Sequence, residues 1–230
     1  SITEVEKRAV RDSAEQAGAK EVYMIHEPMA AAIGIGIDVE EPVGNMIIDI
    51  GGGTTGITVI ALAGIVCDQS IRVAGDEFTA DIMEALRRYH SLLIGERTAE
   101  QIKIHVGAAI KDLDNPPDDM PVNGRDLVTG IPKQIMITYQ EVAEALDKSI
   151  FKVEEAILKA LETTPPELAA DIYRRGLYLT GGGALLRGLD KRLSAKIKLP
   201  VHIADTPLNS VVRGTGIALK NYLRYPFIMK

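Results

Sequence analysis

The sequence predicts a mixed α/β fold in which helices cover both faces of one sheet. Three apolar segments, residues 46–50, 54–60 and 64–74, follow one another closely and predict three antiparallel strands joined by short turns. Further along the chain, helical and strand patterns alternate, which is typical of parallel strands connected across a sheet. Two Gly-Gly-Gly turns, at residues 51–53 and 181–183, each follow a buried strand. We therefore expect an antiparallel meander that continues into parallel strands.

The elements before this meander are predicted from caps and proline. Thr3 and Glu6 form a capping box that predicts an initial helix. Residues 21–26 predict a strand. A helix then begins at Glu27, because the proline that follows is favoured in the first helical turn. This helix extends to about residue 37, and its small and apolar side chains predict close packing on both sides.

The middle of the chain predicts three helices and two short strands. Thr98, with a glutamine three residues later, is expected to cap the second helix. The short strands and the second helix suggest a small α+β subdomain inserted at residues 92–149. The predicted helices are residues 76–89, 98–109 and 140–161, and the predicted strands are residues 122–127 and 134–138.

The last part of the chain repeats the pattern of strand, glycine turn and helix. Residues 177–180 predict a buried strand, and we expect a helix to follow the second glycine turn. Residues 200–204 predict another strand, and Thr206 is expected to cap the final helix. The tail at residues 222–228 is rich in aromatic side chains and is expected to be left exposed.

Composition limits the classes of function. The chain has 230 residues, of which 46% are hydrophobic and 25% charged, as expected for a globular protein with a core. The net charge of −6 argues against a broad nucleic-acid-binding surface. A single cysteine, Cys67, excludes an internal disulfide and favours a reducing, cytoplasmic compartment. The charged start without an initiator methionine suggests part of a longer protein.

The first glycine turn carries the strongest chemical signal. Glycines leave backbone N–H groups uncovered, so an anion can approach them closely. Thr54 and Thr55 add hydroxyls next to these amides, and Asp49 ends the preceding strand. A carboxylate beside bare amides is typical of a site for a phosphate chain and a hydrated Mg²⁺. The alternative is an ordinary tight turn with a surface aspartate.

Taken together, these motifs resemble the actin-like ATPase superfamily, which has a ribonuclease H-like fold. The two glycine turns, residues 49–55 and 179–188, lie in the superfamily's order, and residues 27–34 and 205–219 are similar to its two connecting helices. Residues 95–103 and 164–172 are close to the MreB family of bacterial rod-shape-determining proteins. The resemblance extends over essentially the whole chain.

The resemblance implies an ATP and Mg²⁺ site. Asp49 would hold Mg²⁺ through water, and Glu27 would orient the attacking water; these are the implied catalytic residues. Glu27 could instead simply cap its helix, and Glu100 with Lys103 could be a solvated ion pair. Gly75 could serve a turn, and the second glycine turn could serve packing alone. The implied nucleotide contacts are Gly51, Gly52, Gly53, Thr54 and Thr55 at the β- and γ-phosphates, Gly75 and Asp76 beside them, Glu100 and Lys103 at the ribose and adenine edge, and Gly181, Gly182, Gly183, Ala184 and Leu185 at the adenine and α-phosphate.

The resemblance also implies how the domains and partners are arranged. Residues 1–44 would be the end of a first half, residues 45–91 and 150–230 the core of a second half, and residues 92–149 its inserted subdomain. The family's first phosphate loop has no counterpart here, so we expect ATP hydrolysis to be impaired in this chain. Residues Gly56, His26 and Thr79 also depart from the family pattern.

For the whole protein, the family implies head-to-tail filaments of paired protofilaments that maintain rod shape. These filaments would lie at the inner face of the membrane and contact the wall-elongation machinery and a membrane adaptor, with direct membrane contact only through the missing first half. Two alternatives remain: half of a sugar or acetate kinase, and a non-catalytic module that interacts with filaments. A kinase would need a polar cluster for its substrate, and the sequence shows none.

Overall fold

The computed structural model describes residues 3–229, and this part of the chain contains two β-sheets surrounded by helices. The strands are β1 Asn45–Ile50, β2 Thr55–Ala61, β3 Gly64–Ile71, β4 Leu92–Leu93, β5 Met120–Asp126, β6 Pro132–Ile137, β7 Leu177–Thr180 and β8 Val201–Ile203. The α-helices are α1 Glu4–Gln16, α2 Glu27–Gly34, α3 Gly75–His90, α4 Glu96–Val106, α5 Tyr139–Thr163, α6 Pro166–Arg175, α7 Leu189–Ile197 and α8 Ser210–Lys220.

The larger sheet joins an antiparallel half to a parallel half. Its strands lie in the order β3-β2-β1-β7-β8. β1 pairs antiparallel with β2, and β2 antiparallel with β3, whereas β1, β7 and β8 run parallel. The register places Asp49 opposite Thr180 at the ends of two neighbouring parallel strands. The predicted meander with added parallel strands is therefore confirmed.

Alternate residues of β1 point into two separate cores, which explains why helices are needed on both faces. Met46, Ile48 and Ile50 lie in a large core with residues of α3, α5 and α7. Ile47 faces the opposite side and packs with α2 and α8. Burying each of these side chains contributes about 1.5–3 kcal/mol. Asp49 follows Ile47 on the α2 side, because side chains alternate along a strand.

Helices α2 and α8 approach each other more closely than side chains would allow. A Cβ atom added to Gly34 would lie 1.8 Å from the carbonyl oxygen of Ser210. One added to Gly214 would lie 1.7 Å from the carbonyl oxygen of Ala30. The prediction that α2 packs closely on its neighbours is confirmed. The helix ends at Gly34, three residues earlier than expected.

The predicted helix caps differ in outcome. Thr3 caps α1 through Glu6 as predicted. A second capping box, Thr138 with Glu141, starts α5 and was not predicted. The predicted cap at Thr98 is wrong, since α4 begins at Glu96 with Gly95 as its N-cap residue. The threonine-x-x-glutamine spacing was satisfied in sequence, but the chain is already helical two residues earlier.

The predicted strand at residues 21–26 is wrong, because a strand needs a partner along its length. Met24 alone pairs there, with Met229, through N···O distances of 2.8 and 2.9 Å. The same pairing contradicts an exposed tail. Tyr225 is buried and Phe227 packs beside it against the α2 core, although Leu223 remains 87% exposed.

Two helix starts in the last third also differ from expectation. The second glycine turn continues into a 3₁₀ turn, Gly182–Leu185, and α7 begins only at Leu189. The final helix likewise follows a 3₁₀ turn, Pro207–Asn209, so Thr206 does not cap it with its side chain. In both places a tight turn brings the backbone back to the sheet edge before the helix leaves it.

The smaller sheet, in the order β4-β5-β6, lies within the predicted insertion at residues 92–149. Helix α5 crosses the predicted boundary at residue 149, and the large core contains side chains from both sides of it. The proposed division into three parts therefore stays a prediction. Across residues 3–229, no helix is long and apolar enough to span a membrane.

Candidate functional site

A cleft of about 1020 Å³ lies where β1 and β7 end. Since these strands are parallel neighbours, the loops that follow them emerge at the same edge of the sheet. The two glycine turns therefore meet in the cleft. Gly51 and Gly52 line it from one side, and residues 181–183 line it from the other. Its volume is sufficient for a nucleotide-sized ligand.

The first glycine turn is closed on itself and bound to the start of α3. The amide of Gly51 donates to the carbonyl oxygen of Thr54 at 3.0 Å. The amides of Gly75 and Asp76 donate to the carbonyl oxygens of Gly51 and Gly52, at 3.1 and 2.8 Å. Gly52 and Gly53 remain exposed. A ligand can therefore reach this turn without displacing protein atoms.

The second glycine turn is packed against the end of β1. Gly181 has a φ of +80°, and a Cβ atom there would lie 2.4 Å from both Asp49 Oδ1 and the carbonyl oxygen of Ile50. A Cβ atom on Gly183 would lie 2.2 Å from Ile50 Cγ2. These two glycines are required by packing, whatever else they do. The alternative explanation offered from the sequence therefore has direct support at Gly181 and Gly183.

Asp49 and Glu27 are two of the acidic residues that line the cleft. Asp49 ends β1 on the face of the sheet that α2 covers, and Glu27 is the first residue of α2. Burial raises the pKa of Asp49, and the negative charge of Glu27 raises it further. The nearby Thr180 hydroxyl acts to lower the pKa of Asp49. This hydroxyl is buried and makes no well-formed hydrogen bond with the described residues. This pair would gain from a bound cation.

Glu100 and Lys103 belong to a network on the opposite wall, formed by α4. The ammonium of Lys103 donates to Glu100 at 2.7 Å, to the Gly75 carbonyl oxygen at 2.8 Å and to Thr79 Oγ1 at 3.0 Å. Burial acts to raise the pKa of Glu100, but hydrogen bonds from Lys103 and Thr79 outweigh it and lower the pKa. The side chain of Lys103 is 16% exposed, so this is not a freely solvated pair.

Other residues predicted for the site are placed differently. Thr54 lines a neighbouring groove of about 560 Å³, which shares Glu27 and Asp49 with the cleft. Thr55 is fully buried, and its hydroxyl donates to the carbonyl oxygen of Val73 at 2.6 Å. Ala184 is also fully buried. The structure thus brings most of the predicted residues together and turns the side chains of Thr55 and Ala184 away from the cleft.

Several residues that line the cleft were not predicted from the sequence. Thr79 lies one helical turn after Gly75, and only the fold shows that it reaches Glu100. Leu208, which is 67% exposed, comes from the 3₁₀ turn before α8. No sequence signal marks Leu208. Glu96 and Arg97 lie on α4 near Glu100, so helical spacing from Glu100 could have found them.

The acidic pair fits a divalent cation held partly through water. No cluster of three or more metal-binding side chains occurs among residues 3–229. Mg²⁺ commonly uses one or two carboxylates and fills its other positions with water and phosphate oxygens. Asp49 and Glu27 match this requirement, and no cationic group of the protein is among those that shift the pKa of Asp49.

The mixed sheet, with helices on both faces and a cleft between two glycine turns at its edge, defines an actin-like fold. The model for the family described as MreB/Mbl protein matches residues 1–225. This chain therefore belongs to the MreB/Mbl family.

Relatives of known name support this assignment. The chain is 46% identical over 226 residues to the cell shape-determining protein Mbl of Bacillus subtilis, covering 98% of this chain and 67% of Mbl. It is 48% identical over 221 residues to the cell shape-determining protein MreB of Escherichia coli, covering 95% of this chain and 62% of MreB. The chain thus spans about two thirds of the length of these relatives.

A solved structure extends the likeness to three dimensions. MreB5 of Spiroplasma citri bound to ADP matches with a TM-score of 0.92 and 40% identity, over 96% of this chain and 67% of that one. The same protein bound to AMPPNP matches with a TM-score of 0.93, over 97% of this chain and 66% of that one.

Proposed function

We propose that this chain binds an adenine nucleotide with Mg²⁺ in the cleft between the two glycine turns. The observation that carries the proposal is the meeting of these turns, at the ends of parallel neighbours β1 and β7, above Asp49 and Glu27. The 40% identical MreB5, with ADP or AMPPNP bound, supports this choice of ligand. A cleft of about 1020 Å³ has room for it.

Each wall of the cleft has a proposed role. The exposed turn at residues 51–54 binds the β- and γ-phosphates through its backbone amides, as glycine-rich turns do. Glu100 and Lys103 hold the ribose and the adenine edge from α4. The second glycine turn, with Leu185, packs on the base and the α-phosphate side. Gly75 and Asp76 hold the first turn in place through its carbonyl oxygens.

Asp49 and Glu27 supply the acid–base and metal-binding groups. Asp49 holds Mg²⁺ through water, and the ion neutralises phosphate charge when it is bound. Glu27, exposed at the first position of α2, accepts a hydrogen bond from the attacking water and orients it. Because phosphoryl transfer depends mainly on positioning and charge, two carboxylates and a set of backbone amides lining one cleft are the kinds of group these roles need.

For the whole protein we propose an actin-like cytoskeletal function. Membership of the MreB/Mbl family, whose named relatives determine cell shape, supports self-assembly into filaments that maintain rod shape. Contacts with a membrane adaptor and the wall-elongation machinery, at the inner membrane face, belong to the same proposal. Since this chain spans about two thirds of Mbl, we propose that it hydrolyses ATP less well than the whole protein.

The proposal is tested by calorimetric titration of the chain with Mg-ATP and Mg-ADP. We expect saturable binding of both, and loss of the Mg²⁺ dependence in the variant Asp49→Asn, which keeps the shape of the side chain. Asp119→Asn is the matched control, because Asp119 is exposed in a loop away from the cleft. Light scattering of the same samples reports whether nucleotide promotes assembly.

Two results would contradict the proposal. Equal heats for wild type and Asp49→Asn, with and without Mg²⁺, would exclude the assigned metal site. Phosphorylation of a small metabolite by the chain and ATP would favour the kinase alternative instead.

A further inference from the structure

Two segments of the chain lie side by side next to the cleft, and we call this contact the α4–α7 junction. It consists of residues 104–110, where α4 ends, and residues 186–192, where α7 begins. Ala108 and Arg187 form an isolated parallel bridge, in which the amide of Ala109 donates to the carbonyl oxygen of Arg187 at 2.8 Å. The junction therefore connects the two walls of the cleft through the backbone.

The junction is tightly packed. A Cβ atom on Gly107 would lie 3.0 Å from Leu186 Cδ1 and 2.0 Å from the carbonyl oxygen of Lys103. Gly188 has a φ of +74°, and a Cβ atom there would lie 2.6 Å from Ile110 Cγ1. The absence of a side chain at each glycine therefore lets the backbone of one segment lie against a side chain of the other. The end of α4 is thus packed closely against the segment that follows the second glycine turn.

Arg187 adds a side-chain link to the last turn of α4. Its guanidinium donates to the carbonyl oxygens of Ile104 and Gly107, at 3.3 and 3.4 Å. Carbonyl groups at the end of a helix lack partners within the helix and carry partial negative charge, so a cation is favourable there. The side chain of Arg187 does not line the cleft, although Leu185 and Leu186, which immediately precede it, do.

Arg192 makes a different kind of contact at the same junction. It donates to the carbonyl oxygen of Ala109 at 3.1 Å, and its Nε lies 2.6 Å from Glu154. The side chain of Glu154 is 5% exposed, so removal of Arg192 would leave a buried carboxylate unpaired and threaten the fold. Among the described residues Arg187 has no such acidic partner. Arg187 can therefore be changed without that penalty.

We propose that Arg187 is a positioning residue, which holds α4 against the second glycine turn and so places Glu100 for contact with the ribose of a bound nucleotide. This inference rests on the proposed function. It follows from the chain of contacts: the guanidinium fixes the last turn of α4, and Glu100 lies one turn before Ile104 on the same helix. Loss of the link removes the cation from the last turn of α4, while the bridge at Ala108 and the packing around Gly107 and Gly188 remain.

The test measures binding of Mg-ADP and Mg-2′-deoxy-ADP to the chain and to three variants. We expect Arg187→Ala to weaken Mg-ADP binding about fivefold, the size of one typical net hydrogen bond. Because the loss falls on the ribose contact, the preference for ADP over the 2′-deoxy analogue should decrease. Arg187→Lys keeps a cation that can donate to the same carbonyl groups. It should restore the affinity for Mg-ADP and the preference over the 2′-deoxy analogue to within about twofold of those of the unmodified chain. Arg174→Ala removes an arginine that pairs with Asp171 on α6, and it serves as the control for loss of a surface arginine.

The outcomes separate this inference from the proposed function. If the unmodified chain binds neither nucleotide, the proposed function fails. If the unmodified chain binds and Arg187→Ala retains the same affinity and the same preference, the positioning role is overturned. The positioning role is also overturned if Arg187→Ala weakens the binding of both nucleotides equally, lowers the midpoint of thermal unfolding and is not rescued by Arg187→Lys. That result would indicate general destabilisation.

Discussion

The two glycine turns have the same three residues and opposite surroundings. At the first turn, a Cβ atom on Gly52 would have Asp76 Oδ1 as its nearest neighbour, at 3.5 Å, which is ordinary contact. At the second turn, a Cβ atom on Gly181 or Gly183 would overlap with β1. Packing within the protein therefore requires glycine at residues 181 and 183. At residue 52 the surrounding protein leaves room for a side chain.

This difference separates packing from ligand approach as reasons for glycine. Where the protein leaves space, as at Gly52 and Gly53, the bare backbone is available to something outside the chain. Where the protein fills the space, the glycine is explained by the fold. A sequence motif alone contains neither piece of information, because both turns follow a buried strand and read as Gly-Gly-Gly.

The largest effect is expected for Gly181→Ala. Alanine at this position would have to keep a positive φ, and its methyl group would overlap with Asp49 and Ile50. We expect the free energy of unfolding to decrease by about 3 kcal/mol, from backbone strain and overpacking together. Urea unfolding followed by circular dichroism measures it. A loss below about 0.5 kcal/mol would show that the second turn is as open as the first.

Gly52→Ala is the matched control for that experiment. Its methyl group would enter solvent-facing space, so we expect the unfolding free energy to change by no more than about 0.5 kcal/mol. Binding of Mg-ATP should nevertheless weaken, since the methyl group shields the backbone that the phosphates would approach.

A smaller effect is expected for Thr55→Val, which tests the boundary between the first turn and the core. Valine matches the shape of threonine but removes the hydrogen bond to the carbonyl oxygen of Val73. We expect a loss of about 1–2 kcal/mol in unfolding free energy. Affinity for nucleotide should stay unchanged. Thr54→Val, at an exposed position next to it, should show the reverse pattern, and equal behaviour of the two variants would contradict the placement seen here.

The smallest effect concerns Asp49 and is a dependence on pH. Burial and the charge of Glu27 raise the pKa of Asp49 in the folded protein, so the folded state binds this proton more tightly than the unfolded state. The contribution of Asp49 to stability therefore decreases as pH rises from the unfolded pKa through the raised folded pKa. Above both values the penalty is constant.

Asp49→Asn removes this penalty. Without Mg²⁺, we expect the variant to be more stable than wild type at neutral pH, with the difference disappearing in acid. Unfolding curves measured across that range for both proteins give the comparison. A difference that grows as pH falls would contradict the sign derived for Asp49.

Local sequence signals predicted much of the fold correctly. The three meander strands, the buried strand β7 and the capping box at Thr3 depend on short-range patterns, and each is present. The strand expected at residues 21–26 failed because pairing depends on a partner elsewhere in the chain. Helix starts at Leu189 and Ser210 were missed because the chain first makes a tight 3₁₀ turn at the sheet edge.

The candidate site shows the same division. Asp49 and the first turn were predictable, since a carboxylate, three glycines and two threonines are adjacent in sequence. The roles of Thr79 and Arg187 were not, because their partners lie 21 and at least 80 residues away. Burial of Thr55, next to exposed Thr54, follows from where β2 begins, because every residue of β2 except Gly56 is buried.

The two hydrogen bonds from Gly75 and Asp76 couple the first glycine turn to the start of helix α3. Helix α3 has 16 residues and is therefore about 24 Å long. Its far end, at His90, lies beside β4 of the smaller sheet. If Gly51 or Gly52 shifts by a fraction of an ångström, the start of α3 must shift with it unless the hydrogen bonds from Gly75 and Asp76 break. A tilt of the helix about its first turn would therefore displace His90, next to the smaller sheet, further than it displaces the cleft end.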